Sequence, residues 1–349
     1  MPEANSVVMQ QRSVVRDEST VCVAKTPNGA MLDHVVAGPR AWAPATLSPQ
    51  QWTLDLPEPA RAEITLMVEQ IRSAPLPLLL RHPDQFQLTA CREFVTSLKR
   101  LLSEETGLTV VNGLPVEQFS DEELVNVFWI LGQLLSKPVA TKWDGTMLYR
   151  VTDTGQSYGQ GVRGSATRVE LSFHTDNAFG ISLPDYVGLL CIRPALSGGV
   201  SRFCSLYTVH NELLRNHPQL LGRLYEPVYF DRQTEHADGA PKVLRASMFR
   251  YHEGQLSVRL QPGLIRRGYE IMGAEVDQAL VEALECLESI LDRPNVWIEF
   301  SMQRGQLQYL NNHWCAHFRS AFTDGNEPSS KRHLVRAWYR DRGKPTYEG

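Results

Sequence analysis

His174 and Asp176 stand two residues apart in the run Leu171-Ser172-Phe173-His174-Thr175-Asp176-Asn177-Ala178-Phe179. In an extended strand, residues i and i+2 point to the same face, so an imidazole and a carboxylate are presented together. A second imidazole stands far down the chain in Asn312-His313-Trp314-Cys315-Ala316-His317-Phe318-Arg319, where His313 and His317 are both candidates. Two imidazoles and one carboxylate on one side of a metal leave the other coordination positions open, a ligand set that suits ferrous iron in oxygenases. Only a fold that closes a long stretch of chain on itself can assemble such a site.

Composition narrows the class. The 349 residues allow one large domain or two smaller ones. A hydrophobic content of 42% with 21% charged residues is that of a globular protein with an ordinary core. Net charge is −4 and Lys and Arg are scattered, which argues against a nucleic-acid or anionic-membrane partner. Six cysteines (Cys22, Cys91, Cys191, Cys204, Cys286, Cys315) form no CxxC pair and read as reduced thiols. With no basic-then-apolar leader after Met1 and no apolar run of membrane-spanning length, the expected location is cytoplasmic. A homo-oligomer stays open.

Residues 1–55 lack clear periodicity and read either as a floppy arm or as an extension packed on the body; 56–349 read as a single domain. Ala60, Ile64, Met67, Val68 and Ile71 fall at helical spacing between Pro57 and Arg72, and Cys91 to Glu104 reads likewise. Leu108 to Gly113 is a β-branched strand with a turn residue at its end. Ser120-Asp121-Glu122-Glu123 is a capping box that opens another helix, stopped near Pro138. Asp153 to Ser165 holds four glycines and leads into the His174 strand, so it is either a flexible connection or a loop that closes over a substrate. Tyr186 to Ile192, the turn Gly198-Gly199, and Ser201 to Ser205 read as a hairpin. One helix from His210 to Leu224 and another from Val276 to Leu291 follow, with strands at Val228–Phe230, Leu256–Arg259, Val296–Phe300, Gln306–Leu310 and Leu334–Tyr339. The order predicts a mainly β chain with flanking helices, built on a double-stranded β-helix (jelly roll) core.

His174-Thr175-Asp176-Asn177-Ala178-Phe179, Gly198-Gly199-Val200-Ser201, Asn312…His317-Phe318-Arg319 and Arg332-His333-Leu334-Val335-Arg336 occur in that order. This series resembles the TauD/TfdA group of iron(II)- and 2-oxoglutarate-dependent dioxygenases, over about Gly107 to Arg340. The resemblance implies that His317 rather than His313 joins His174 and Asp176 on Fe(2+), with 2-oxoglutarate and O2 as co-reactants. It implies that Arg332 and Ser201 seat the far carboxylate of 2-oxoglutarate, since a guanidinium fork grips a carboxylate bidentately and cannot lose its charge. Arg336 matches a second family arginine that meets the cosubstrate or the substrate's acidic group. The four-residue spacing of the two arginines does not fit one strand face, so a bulge or turn is expected near Arg332. An Asp at position 176, where halogenating relatives carry a small residue, points to oxygen insertion or desaturation.

Asn177, Glu170, Tyr158 and Arg163 lie close in sequence to the metal strand and are candidates for substrate contact, and Asp231 matches loosely an acid that binds substrate in amino-acid hydroxylases. The expected function is oxidation, chiefly hydroxylation, of an aliphatic carbon of a small polar metabolite such as an amino acid or natural-product intermediate. Two alternatives are a non-catalytic jelly-roll sensor of small acids and a metal-dependent hydrolase, which would need a general base near a metal-bound water.

Overall fold

In the strand His333–Arg340, Leu334, Arg336 and Trp338 alternate with Val335, Ala337 and Tyr339, and all six are buried. A strand covered on both faces reads as a nearly continuous apolar run. A computed structural model describes residues 20–24, 30–157, 159, 162–233 and 235–349. This strand lies near the centre of a larger sheet whose order is Thr53–Asp55, Leu108–Asn112, Leu307–Asn311, Tyr186–Arg193, His333–Arg340 and Lys137–Val139, with Leu148–Val151 also paired to His333–Arg340. A smaller sheet faces it, in the order Trp297–Phe300, Ser201–Ser205, Cys315–Arg319 and Leu171–His174. Within both sheets the pairing is antiparallel except between Thr53–Asp55 and Leu108–Asn112. This is the jelly-roll core, without closure into a continuous barrel.

Helices bury the outer faces. Glu58–Ser73, Thr89–Glu104 and Asp121–Leu135 bring Ile64, Leu98 and Phe128 into one apolar cluster with Leu190, Tyr309 and Tyr339 of the larger sheet. The expected capping box is present: the Glu123 backbone N–H donates to Ser120 Oγ at 3.2 Å, and the Ser120 N–H donates to Glu123 Oε2 at 2.8 Å. Leu206–Asn216, Pro262–Met272 and Gln278–Leu291 supply a second cluster with Phe173, Cys204 and Phe318 of the smaller sheet. Where a single helix is expected from His210 to Leu224 there are two, Leu206–Asn216 and Pro218–Tyr225. Pro218 has no N–H to continue the first helix, but it fits the opening turn of the second.

The strands expected to form one hairpin lie in different sheets. Tyr186–Arg193 belongs to the larger sheet and Ser201–Ser205 to the smaller. Between them Gly198 and Gly199 take φ values of 73° and 66°, and Ser197–Gly198 pairs with Phe322–Thr323 instead. A Cβ at Gly198 would collide with the Ala321 carbonyl, so glycine is needed for this passage from one sheet to the other.

Residues 30–55 are packed rather than free: Leu32, Trp42, Leu47 and Trp52 are buried, and Thr53–Asp55 adds a strand to the larger sheet. Among the described residues, no helix is long and apolar enough to cross a membrane.

The inner face of the larger sheet is arranged in rows across its strands. Leu108, Leu310, Val187, Trp338 and Val139 form one row. Cys191, Leu334 and Val151 form another. Between them runs Val110–Gln308–Leu189–Arg336–Tyr149, in which three of the five residues carry polar groups. A polar row between two apolar ones marks where the sandwich holds chemistry rather than packing.

Candidate metal centre

His174 and His317 are direct partners across adjacent antiparallel strands, and their ring centroids lie 4.2 Å apart. Asp176 is expected on the same strand face, but the strand ends at His174 and Asp176 lies two residues beyond it in a turn. The turn brings its carboxylate to both rings, with Oδ1 3.8 Å from His174 Nε2 and 3.7 Å from His317 Nε2. The three donor atoms lie within 4.8 Å of one another, a separation at which one ion can reach all three. Nδ1 of His174 donates to the Ser172 carbonyl at 2.8 Å, which leaves the Nε2 lone pair facing Asp176.

Asp176 is held from four directions. Arg336 Nη1 lies 3.1 Å from each carboxylate oxygen, and Trp338 Nε1 donates to Oδ2 at 2.7 Å. Asn312 clamps its backbone, accepting from the Asp176 N–H at 2.8 Å and donating to the Asp176 carbonyl at 2.9 Å. Thr175 points the other way and ties the turn to the Val258 and Leu260 backbone. Burial works to raise the Asp176 carboxyl, but Arg336 and the two imidazoles outweigh it and hold the group down at about 2. Burial pushes His317 down to about 3, with repulsion from His174 adding to it, and His174 moves in the same direction chiefly through burial. At neutral pH the site therefore offers one carboxylate and two uncharged imidazoles, the protonation that metal ligation requires.

Beyond the triad the cavity becomes cationic. It is lined by Ser201, Arg319, Arg332, Arg336 and Gln308, with Leu171, Leu189 and Leu334 among its apolar walls. Arg319 stands directly opposite Ser201 across the smaller sheet. The Arg319 and Arg332 guanidinium groups lie 4.8 and 5.1 Å from the Phe322 ring. Arg319 donates to the Thr167 and Val169 carbonyls, but its Nε and Nη1 are buried without a partner, and so is Arg332 Nη1. Burial lowers both guanidinium groups to about 10. Asp153 and Asp324 act on Arg319 and Arg332 through charge, but no carboxylate among the described residues forms an ion pair with either guanidinium, and their buried N–H groups stay open to an anion. Arg332 also lies where a bulge is expected: it precedes the strand His333–Arg340, whose pairing register shifts between His333 and Leu334.

The chain matches, over residues 73–338, the family described as taurine catabolism dioxygenase TauD, TfdA family. It belongs to the TauD/TfdA family. It is thus an iron(II)- and 2-oxoglutarate-dependent oxygenase, an oxidoreductase. It is 30% identical over 314 residues to FR-33289 synthase of Streptomyces rubellomurinus, covering 88% of this chain and 91% of the relative. It is 26% identical over 226 residues to an L-lysine 4-hydroxylase of Chitinophaga pinensis, covering 60% of this chain and 54% of the relative. Among solved structures it resembles asparagine oxygenase in complex with Fe(II), 2S,3S-3-hydroxyasparagine and succinate, with TM-score 0.63, 19% identity, and 85% and 98% of the two chains covered. The non-heme iron oxygenase OrfP with Fe, succinate and (3S)-hydroxy-L-Arg gives TM-score 0.63, 16% identity, and 84% and 98% coverage. At these identities the two structures attest the fold.

The other residues singled out in the sequence divide by location. His313 hydrogen-bonds Asp185 at 2.7 Å and Ser257 at 2.8 Å, outside the cavity lining. Asn177, with φ 56°, donates to the Ser182 carbonyl and accepts from the Tyr347 hydroxyl at 2.7 Å, so its amide holds a turn. Glu170 is exposed and lines a separate groove with Ser172, Arg202 and Trp297. Arg163 pairs with Glu235 at 2.5 Å and donates to the Thr141 carbonyl, clasping the glycine-rich loop to two others. Asp231 is buried against Arg267 at 3.2 Å and accepts from the Gln233 N–H. Tyr158 lies outside the described residues. A separate groove of about 740 Å³ runs past Val36, Trp42 and Arg293 and contains none of these groups.

Trp338, Asn312, Arg319 and Gln308 are site residues that sequence reading does not single out. The family pattern contains Asn312 and Arg319, yet it assigns them no contact. An apolar strand gives no hint that Trp338 is a hydrogen-bond donor.

Proposed function

We propose that His174, Asp176 and His317 hold iron(II), and that Arg332 and Ser201, joined by Arg319, seat the far carboxylate of 2-oxoglutarate. The observation that carries this reading is the pairing of two neutral imidazoles and one carboxylate with a pocket of buried arginines whose N–H groups are partly unbonded, in the same cavity. The donor set suits ferrous iron and leaves positions open. The pocket's charge suits a dicarboxylate. Bound iron supplies the oxidative chemistry that couples decarboxylation of 2-oxoglutarate, with succinate and carbon dioxide as products, to oxidation of a carbon–hydrogen bond.

The protein's own part is orientation and exclusion of water. Arg336 and Trp338 fix the Asp176 carboxylate so that Oδ1 faces both imidazoles. Val151, Leu171, Leu189, Phe203 and Leu334 wall the cavity with hydrocarbon. The buried Nε of Arg336 has no partner and stands ready for the acidic group of a substrate or for the cosubstrate. The substrate class is a small polar metabolite bearing an acid, an amino acid or a natural-product intermediate, and the reaction is hydroxylation of an aliphatic carbon. A relative named as an L-lysine 4-hydroxylase supports the amino-acid class. A hydrolase would gain nothing from two buried guanidinium groups with open N–H donors inside the cavity. Six unpaired cysteines, four of them buried, support a reducing, cytoplasmic location.

The test is succinate formation with iron(II) and 2-oxoglutarate across a panel of amino acids and small acids. Substrate-stimulated succinate with a product heavier by one oxygen is expected. Stimulation by no member of the panel would remove the amino-acid reading.

A further inference from the structure

Gln308 lies in the polar row between Val110 and Leu189, facing the interior of the sandwich. It is 1% exposed, and neither Oε1 nor Nε2 has a hydrogen-bond partner. Other buried amides on the same stretch are satisfied: Asn311 bonds the Leu102 carbonyl and the His313 N–H, and Asn312 bonds Asp176 and Pro184. Among the described residues, Gln308 is the one buried amide with both ends unbonded. Buried polar groups are hydrogen-bonded, and one left open inside a functional cavity calls for an occupant.

The surroundings say which. Gln308 lines the same cavity as His174, His317, Ser201 and Arg332. Its neighbour across one strand is Leu189, and across two is Arg336, so it stands about 10 Å along the sheet from the arginine that holds Asp176. On the facing sheet, Ser201 and Arg319 share one cross-strand row. A ligand reaching from the triad to the Arg319–Arg332 pocket passes through the cavity that the amide lines.

We propose that Gln308 is a cosubstrate-binding residue whose Nε2–H donates to a carboxylate of 2-oxoglutarate, on the wall opposite Ser201 and Arg319. The inference rests on the reading that this cavity holds 2-oxoglutarate.

Calorimetric titration of the manganese-loaded protein with 2-oxoglutarate, without oxygen, tests it. Gln308→Leu and Gln308→Met keep the volume and remove the hydrogen bond; Gln308→Glu sets a carboxylate against a carboxylate. Leu and Met should weaken 2-oxoglutarate about tenfold or more, with manganese affinity unchanged. Glu should weaken it further. The metal-free Leu variant should melt no lower than the unaltered protein, because hydrocarbon replaces an unbonded amide. Undiminished 2-oxoglutarate binding in both Leu and Met overturns the inference alone. If the unaltered protein does not bind 2-oxoglutarate, the cavity's assignment falls and this inference with it.

Discussion

Arg336 and Asp176, 160 residues apart in sequence, form a buried ion pair at 3.1 Å beside both candidate metal-binding imidazoles. The carboxylate that faces the metal position is therefore balanced and aimed by the fold before any ion arrives. Trp338, two residues on along the same strand face, supplies the second donor to that carboxylate. Period-two geometry on His333–Arg340 thus holds the turn that carries Asp176 just after the strand of His174.

This arrangement separates two substitutions that would otherwise look alike. His174→Ala should abolish metal binding and turnover and leave the thermal melt close to that of the metal-free protein, since the ring makes one hydrogen bond, to Ser172. Asp176→Ala should abolish the same functions and also cost about 3–5 kcal/mol of stability, because it strands the buried Arg336 cation. Metal titration with chemical denaturation of both variants checks this. Equal stability of the two would show that the ion pair does not form.

Arg332→Lys should weaken 2-oxoglutarate by roughly 1.5–3 kcal/mol, about ten- to a hundredfold, because a point charge replaces a two-pronged donor facing a carboxylate. Arg336→Lys should act mainly on metal affinity and on the substrate's apparent constant, through Asp176. Measuring both constants in both variants decides between them. If Arg336→Lys proves the larger loss for 2-oxoglutarate, the roles of the two arginines are exchanged.

The imidazoles set a pH dependence of fixed sign. His317 titrates at about 3 and His174 below its ordinary value, burial being the largest cause for each. Both stay neutral as pH falls through about 6.5, where an exposed imidazole takes up its proton. Affinity for manganese should therefore hold nearly constant from about pH 8 to about pH 6. The unfolded chain does take up those protons, so stability of the metal-free protein should decline as pH drops below about 6.5. A loss of affinity of about tenfold per pH unit beginning at 6.5 would contradict the burial argument.

Tyr347→Phe removes the hydroxyl that Asn177 accepts from, in a turn where Asn177 holds φ 56°. A stability loss of about 1 kcal/mol with unchanged 2-oxoglutarate affinity is expected, measured by denaturant unfolding and titration. A shift in substrate affinity without a stability loss would return Asn177 to the substrate side.

That His174, Asp176 and His317 come together was legible because short motifs mark both segments, although the turn that carries Asp176 reads as strand. The place of Arg332 in the same cavity was legible from its motif too, and the bulge or turn expected beside it appears as a register shift. Gln308 was not. In Gln306-Leu307-Gln308-Tyr309-Leu310 the alternation reads as a half-exposed strand with glutamines toward water, whereas this strand is covered on both faces. Arg163 and Asn177 drew notice by proximity in sequence and Asp231 by a loose match to related hydroxylases, yet Glu235, Tyr347 and Arg267, their partners, come from other segments. The supposed hairpin failed similarly, because which sheet a strand joins depends on partners that its own residues do not name.

The most direct test of the whole account is to follow 2-oxoglutarate, succinate and oxygen together in one reaction of the iron-loaded protein with an amino-acid substrate found from the panel. The account predicts that 2-oxoglutarate loss and succinate formation match each other, need iron(II) and oxygen, and vanish in His174→Ala. Oxygen uptake that proceeds on a reduced nicotinamide with no succinate formed would contradict it.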